Sequence, residues 1–152
     1  MEVASLPVSQ IMRSDFTSLR ADDRLDLAEH IMKLGRVRHL PVLDAAGRLV
    51  GIVSQRDLLR ASLTSALEFP ADQRRTFLRS IDVAEVMTRE VQSVGPDTPL
   101  GVAASRMIGH KIGCLPVLRE DGTPVGLVTE TDLLVAAYLG PRAVGESATP
   151  AR

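Results

Sequence analysis

A 21-residue stretch, His39–Leu59 (HLPVLDAAGRLVGIVSQRDLL), returns 75 positions later as Cys114–Leu134 (CLPVLREDGTPVGLVTETDLL) without a gap. Each copy reads as an apolar strand, a polar turn closed by Gly47 or Gly122, a second apolar strand, and the start of a helix at Gln55 or Glu130. β-branched and leucine-rich runs cut by such a turn are the hairpin signal. The register extends beyond the hairpin. Between Ser5 and Ala61, 20 of 57 residues are identical to the one 75 further on, against roughly four or five from ordinary composition. Val8, Met12, Ala28 and Met32 recur as Val83, Met87, Ala103 and Met107. Such a chain is an internal duplication. Two copies rather than many predict a closed pseudo-symmetric pair, not a solenoid.

The ordered set Val-x-x-Ile-Met, Leu-x-x-Ala-x-x-x-Met, Leu-Pro-Val-Leu-Asp, Gly-x-Leu-Val-Gly-Ile-Val-Ser and Arg-Asp-Leu-Leu resembles the cystathionine-β-synthase (CBS) domain. A tandem pair resembles a Bateman module, and the likeness covers residues 5–139. The expected organisation is a first repeat at 5–66, a linker at 67–80, a second repeat at 81–139 and a disordered tail at 140–152. The expected fold is α/β: each repeat a small three-stranded sheet with two helices, the pair packed about a pseudo-twofold axis. The runs Val50–Val53 and Val125–Val128, apolar enough to be buried on both faces, point the same way.

Within a repeat, Leu25, Ala28, Ile31 and Met32 stand at helical spacing, and Gly35 is placed to end that helix. Val8–Met12 reads as a helical turn with Ser9 available as a cap. Thr98 with Pro99 starts the corresponding helix of the second copy. Phe69-Pro70 breaks the helix before the linker. Asp72–Leu78 fits a short linking helix that docks Phe77 and Leu78. Arg74, Arg75 and Arg79, with no aromatic platform between them, read as a solvated face.

Composition excludes several functions. A net charge of −1 and a pI near 6.3 argue against a general nucleic-acid or membrane-surface binder. No apolar run approaches the roughly 20 residues of a membrane span. A single cysteine, Cys114, forbids an intrachain disulfide and suits a reducing cytoplasm. No secretory leader is evident, so a cytoplasmic protein is expected. His30, His39 and His110 lie in separate segments without metal-ligand spacing, and no phosphate loop or nucleophile elbow occurs. An enzyme is not expected, nor is a metal or a required cofactor.

Chemistry concentrates where each hairpin meets its helix. Ser54…Asp57 and Thr129…Asp132 are both a hydroxyl followed three residues later by an acid. That spacing is close to a capping box, which satisfies orphan amides of the first turn. A helix N-terminus with a hydroxyl also attracts phosphate, and a nearby carboxylate can accept both hydroxyls of a ribose. The CBS resemblance implies that these residues contact the phosphate and ribose of an adenosine ligand. Arg56, and Arg36, Arg38 and His39 before the first Leu-Pro-Val, resemble positions that reach ligand phosphates. The second copy has Thr131, Lys111, Gly113 and Cys114 there, so the two sites should differ. Charged edge-strand residues that discourage aggregation would look the same.

The resemblance thus implies a stand-alone regulatory module. It would bind AMP, ADP, ATP or S-adenosylmethionine in clefts between the repeats and signal to an unidentified regulated protein. The alternative is a structural or adaptor homodimer with no ligand. Leu58, Leu59, Ala61 and Leu63, with Leu133, Leu134, Ala137 and Tyr138, exceed what one sheet needs to cover, and imply a homodimer through these helices.

Overall fold

The computed structural model of the chain describes residues 2–141 and 144. They form two compact units, Thr17–Val91 and Met1–Phe16 with Gln92–Arg152. The mixed α/β character expected from the repeat is present in both.

The Thr17–Val91 unit contains β1 (Leu19–Arg20), α1 (Leu25–Gly35), β2 (His39–Leu43), β3 (Leu49–Ser54), α2 (Gln55–Glu68), α3 (Ala71–Ser80) and α4 (Val83–Val86). Its sheet has the order β1-β2-β3, with β1 parallel and β3 antiparallel to β2. The hairpin turns because Gly47 takes a φ of 82° and Asp44 Oδ1 accepts from the amides of Ala46 and Arg48, both at 2.9 Å. Leu19, Leu25, Ala28, Leu40, Val42 and Val53 form the centre of its core. The linker is the expected helix: Phe69 and Phe77 stack at 4.7 Å between centroids, and Leu78 is buried.

The other unit contains two 3₁₀ turns (Val3–Ser5, Val8–Gln10), α5 (Leu100–His110), β4 (Cys114–Leu118), β5 (Pro124–Thr129) and α6 (Glu130–Leu139). Its ladder is two-stranded. Where the first copy has β1, the second keeps one parallel bridge, Val94 to Val117, at the positions equivalent to Leu19 and Val42.

The packing units do not follow the sequence repeats. Ile81 and Val83, which open the second copy, bond into the first unit: Leu25 N to Ile81 O at 2.9 Å and Val83 N to Asp23 O at 2.7 Å. Leu6 and Val8, which open the first copy, bond into the other unit through the same pair of contacts, Leu100 N to Leu6 O and Val8 N to Thr98 O, both 2.8 Å. Each opening segment ends as an extra edge residue. Arg13 bridges Leu127 on β5, and Thr88 bridges Ile52 on β3. At that edge the methionine of the segment lies over the strand glycine. A Cβ at Gly51 would sit 2.5 Å from Met87 Sδ, and one at Gly126 2.6 Å from Met12 Sδ.

Gly35 ends α1 as expected, and the left-handed position follows at Arg36 (φ 52°), as it does at Lys111 (φ 54°) after α5. Two local readings need correction. The turn at Val8 is entered from Pro7, and Ser9 does not cap it. Pro99 is the N-cap of α5 rather than its first residue, and the Thr98 hydroxyl accepts from Gly95 N at 3.1 Å. Of the tail, Gly140, Pro141 and Val144 are described, and Val144 is buried in the core of the unit that contains α5. The remaining tail positions lie outside the described residues.

Candidate functional site

In the first copy, β3 delivers Ser54 to the start of α2 in an extended conformation (φ −99°, ψ 163°). The Asp57 amide donates to Ser54 Oγ at 3.1 Å. Asp57 Oδ2 accepts from Ser54 N at 2.8 Å and from Ser54 Oγ at 3.0 Å. This is a complete capping box. The Gln55 amide is taken by the Arg38 carbonyl at 2.8 Å, so among the first three helical amides that of Arg56 is left for solvent or a ligand. His39 is in register with Ser54. The fold therefore gathers Arg38, His39, Ser54, Arg56 and Asp57 at one hairpin–helix junction. Arg36, Arg38 and Arg56 are exposed; His39, Ser54 and Asp57 are half-buried.

Asp57 also lines a recess of about 270 Å³ with Arg60, Ala61, Thr64 and Val86. Arg60 went unnoticed in the sequence, although it stands one turn after Asp57 on the same helix and so shares its face. Val86 comes from the segment that opens the second copy, which repeat spacing alone does not place here.

The second copy repeats the cap but not the environment. Asp132 N donates to Thr129 Oγ1 at 3.3 Å, and Thr129 N to Asp132 Oδ2 at 2.9 Å. The Gly113 carbonyl takes the Glu130 amide at 3.1 Å, leaving that of Thr131. Asp132, however, is fully buried, and its Oδ1 receives Arg13 Nε at 2.8 Å and Nη2 at 2.7 Å. Arg13 was not among the candidate residues. The signal was in the alignment of the copies: residue 13 is Arg where residue 88 is Thr. Cys114, in register with Thr129, has its thiol pushed up to about 12 by burial and, to a lesser extent, by the Asp132 charge. It is a packing residue, not a nucleophile.

Elsewhere the linker arginines are exposed, and Arg79 pairs loosely with Asp26 at 3.7 Å. Among the described residues no cluster of His, Cys, Asp or Glu is arranged to hold a metal ion. No helix among them is long and apolar enough to cross a membrane.

The CBS domain model matches residues 8–64 and 83–138. The chain belongs to the CBS domain family, as a tandem pair. It is 32% identical over 127 residues to a CBS domain-containing protein of Dictyostelium discoideum, covering 84% of this chain and 88% of that one. It is 29% identical over 126 residues to the homoserine O-acetyltransferase of Methanohalobium evestigatum, but spans 23% of that protein. Two solved structures of the family hold adenosine compounds. CBSX2, crystallised with AMP, superposes with a TM-score of 0.74 at 27% identity, over 88% of this chain and 97% of that one. The CBS pair of protein MJ0100, crystallised with 5′-methylthioadenosine and S-adenosyl-L-methionine, gives 0.72 at 25% identity, over 84% and 96%. A CBS pair is a regulatory module rather than a catalytic one.

Proposed function

We propose that this CBS pair is a sensor of adenosine-containing ligands, AMP, ADP, ATP or S-adenosylmethionine, acting on a separate regulated protein. The observation that carries this is the junction at Ser54–Asp57. A half-buried carboxylate with one oxygen engaged in its own cap stands in a recess beside a helix N-terminus that keeps one amide and Arg56 in hand. The complexes of CBSX2 with AMP and of MJ0100 with S-adenosyl-L-methionine support the ligand class. The recess is below the roughly 300–1,000 Å³ that encloses a drug-sized ligand, so it suits the ribose rather than the whole nucleotide. In this assignment Asp57 accepts from the ribose hydroxyls, Ser54 and the Arg56 amide face the phosphate, and Arg38, His39 and Arg56 supply positive charge. Thr129, Thr131 and Asp132 are the equivalent residues of the second copy, where Arg13 covers the carboxylate. A ligand transmits a signal only by favouring one arrangement of the module over another.

The pair acts as a homodimer in this proposal. Leu59, Leu63 and Leu67 form an exposed stripe at i, i+4 and i+8 on α2, and Leu134 and Tyr138 repeat it on α6. Faces of that kind usually meet copies of themselves.

Calorimetric titration with AMP, ADP, ATP and S-adenosylmethionine tests the proposal. At least one should bind below millimolar concentration. Binding by none at millimolar concentration would reject the sensor and leave a ligand-free adaptor, in which both boxes are only caps.

A further inference from the structure

The duplicated carboxylates, Asp57 and Asp132, stand in the same cap on the same element, yet only one is accessible. The cause lies on the opening segments. Arg13 and Thr88 are equivalent residues, and both are fixed by the same two-way backbone bridge. The Arg13 amide donates to Leu127 O at 2.9 Å and the Arg13 carbonyl accepts from Leu127 N at 3.0 Å; Thr88 makes the same two bonds with Ile52 at 2.8 and 3.0 Å. Backbones held alike aim their side chains alike, so position 13 faces Asp132 as position 88 faces Asp57. Arginine is long enough to fill that place and threonine is not. The Arg13 guanidinium puts two donors on Asp132 Oδ1, while the Thr129 amide holds Oδ2. A vicinal diol needs carboxylate lone pairs that face outward, and the fully buried Asp132 has none to offer. No cation among the described residues pairs with Asp57, whose bonds all run to Ser54.

We infer that Arg13 occupies the ribose seat of the second copy from within the chain, so that the protein takes one adenosine ligand per chain, at Asp57. This deepens the sensor assignment above and rests on it. Position 13/88 is then a specificity-determining position: arginine closes the carboxylate of its unit, threonine leaves it open. An arginine–carboxylate pair buried on one side is not displaced by a neutral sugar, whose hydroxyls offer weaker hydrogen bonds than a guanidinium.

Two reciprocal substitutions test this. The probe is whichever of AMP, ADP, ATP and S-adenosylmethionine binds the intact protein most tightly, and calorimetry reads its stoichiometry. The wild type should bind one equivalent. Arg13→Thr should raise this to two, and Thr88→Arg should weaken the wild-type site at least tenfold. Should Arg13→Thr fail to fold, Thr88→Arg decides alone, since binding unchanged by it overturns the inference. Two equivalents in the wild type would overturn it while leaving the sensor standing. No binding by any of the three proteins would remove the sensor assignment itself, and this inference with it.

Discussion

Asp57 and Asp132 are the same residue of a duplicated unit, and they live in opposite surroundings. Both close a capping box, and both follow a strand of the form Gly-[Ile/Leu]-Val-[Ser/Thr]. One faces a recess with Arg60 and Thr64, whereas the other is sealed by Arg13. The difference teaches that a capping motif sets where a carboxylate stands but not what it meets. What it meets is decided by a residue distant in sequence, 119 positions away in the case of Arg13.

The comparison can be broken at Arg13. Removing the partner of a charge that stays buried costs roughly 3–5 kcal/mol, but removing Arg13 also lets water reach Asp132, so Arg13→Ala should lower stability by less, about 1–3 kcal/mol. Asp57→Ala loses only a first-turn carboxylate, on the order of 0.3–1 kcal/mol. Denaturant melts of the two variants side by side check this, and equal losses would contradict it.

Next in size is the glycine under each methionine. The three atoms nearest a Cβ at Gly126 all belong to the Met12 side chain, at 2.6–3.0 Å. Alanine at Gly51 meets Met87 and also the Thr88 carbonyl, at 3.0 Å, which cannot turn aside without losing its bond from Ile52. Overpacking costs typically about 1–3 kcal/mol. Gly51→Ala and Gly126→Ala should both lose stability within that range, read from the same melts.

The smallest effect distinguishes Cys114 from its counterpart His39. With its thiol raised from 9.0 to about 12, Cys114 stays protonated in the folded chain where the unfolded chain ionises. Stability from this group is therefore intact below pH 9 and declines as pH rises from 9 toward 12. In the native protein at pH 8, a maleimide should leave Cys114 unmodified over a time that labels the denatured chain fully.

Much of the fold was legible because duplication doubles the signal. A hairpin read once is ambiguous, but the same hairpin with the same flanking helices at a constant offset is not. The linker helix was visible because Phe69-Pro70 can only interrupt. The left-handed cap at Arg36 was not legible, since glycine next door at Gly35 is the residue that usually takes that conformation. The ladder of the second copy could not be read as shorter than the first, because Val94 occupies the place of Leu19 with the same apolar character. At the site, the residues within one hairpin–helix junction were found because local spacing gathers them. Arg13, Arg60 and Val86 were missed for different reasons. Arg60 needed only a helical-face projection, whereas Arg13 and Val86 belong to segments that complete the unit opposite to their own repeat.

The most direct test of the account is an adenosine-ligand titration of Asp57→Ala and Asp132→Ala, compared with the wild type. Charge-assisted hydrogen bonds are worth roughly 1.5–3 kcal/mol each, and about 1.4 kcal/mol is a tenfold change in affinity. Asp57→Ala should therefore weaken binding at least tenfold, while Asp132→Ala leaves affinity and stoichiometry as they were. A tenfold loss in Asp132→Ala with Asp57→Ala unaffected would contradict it.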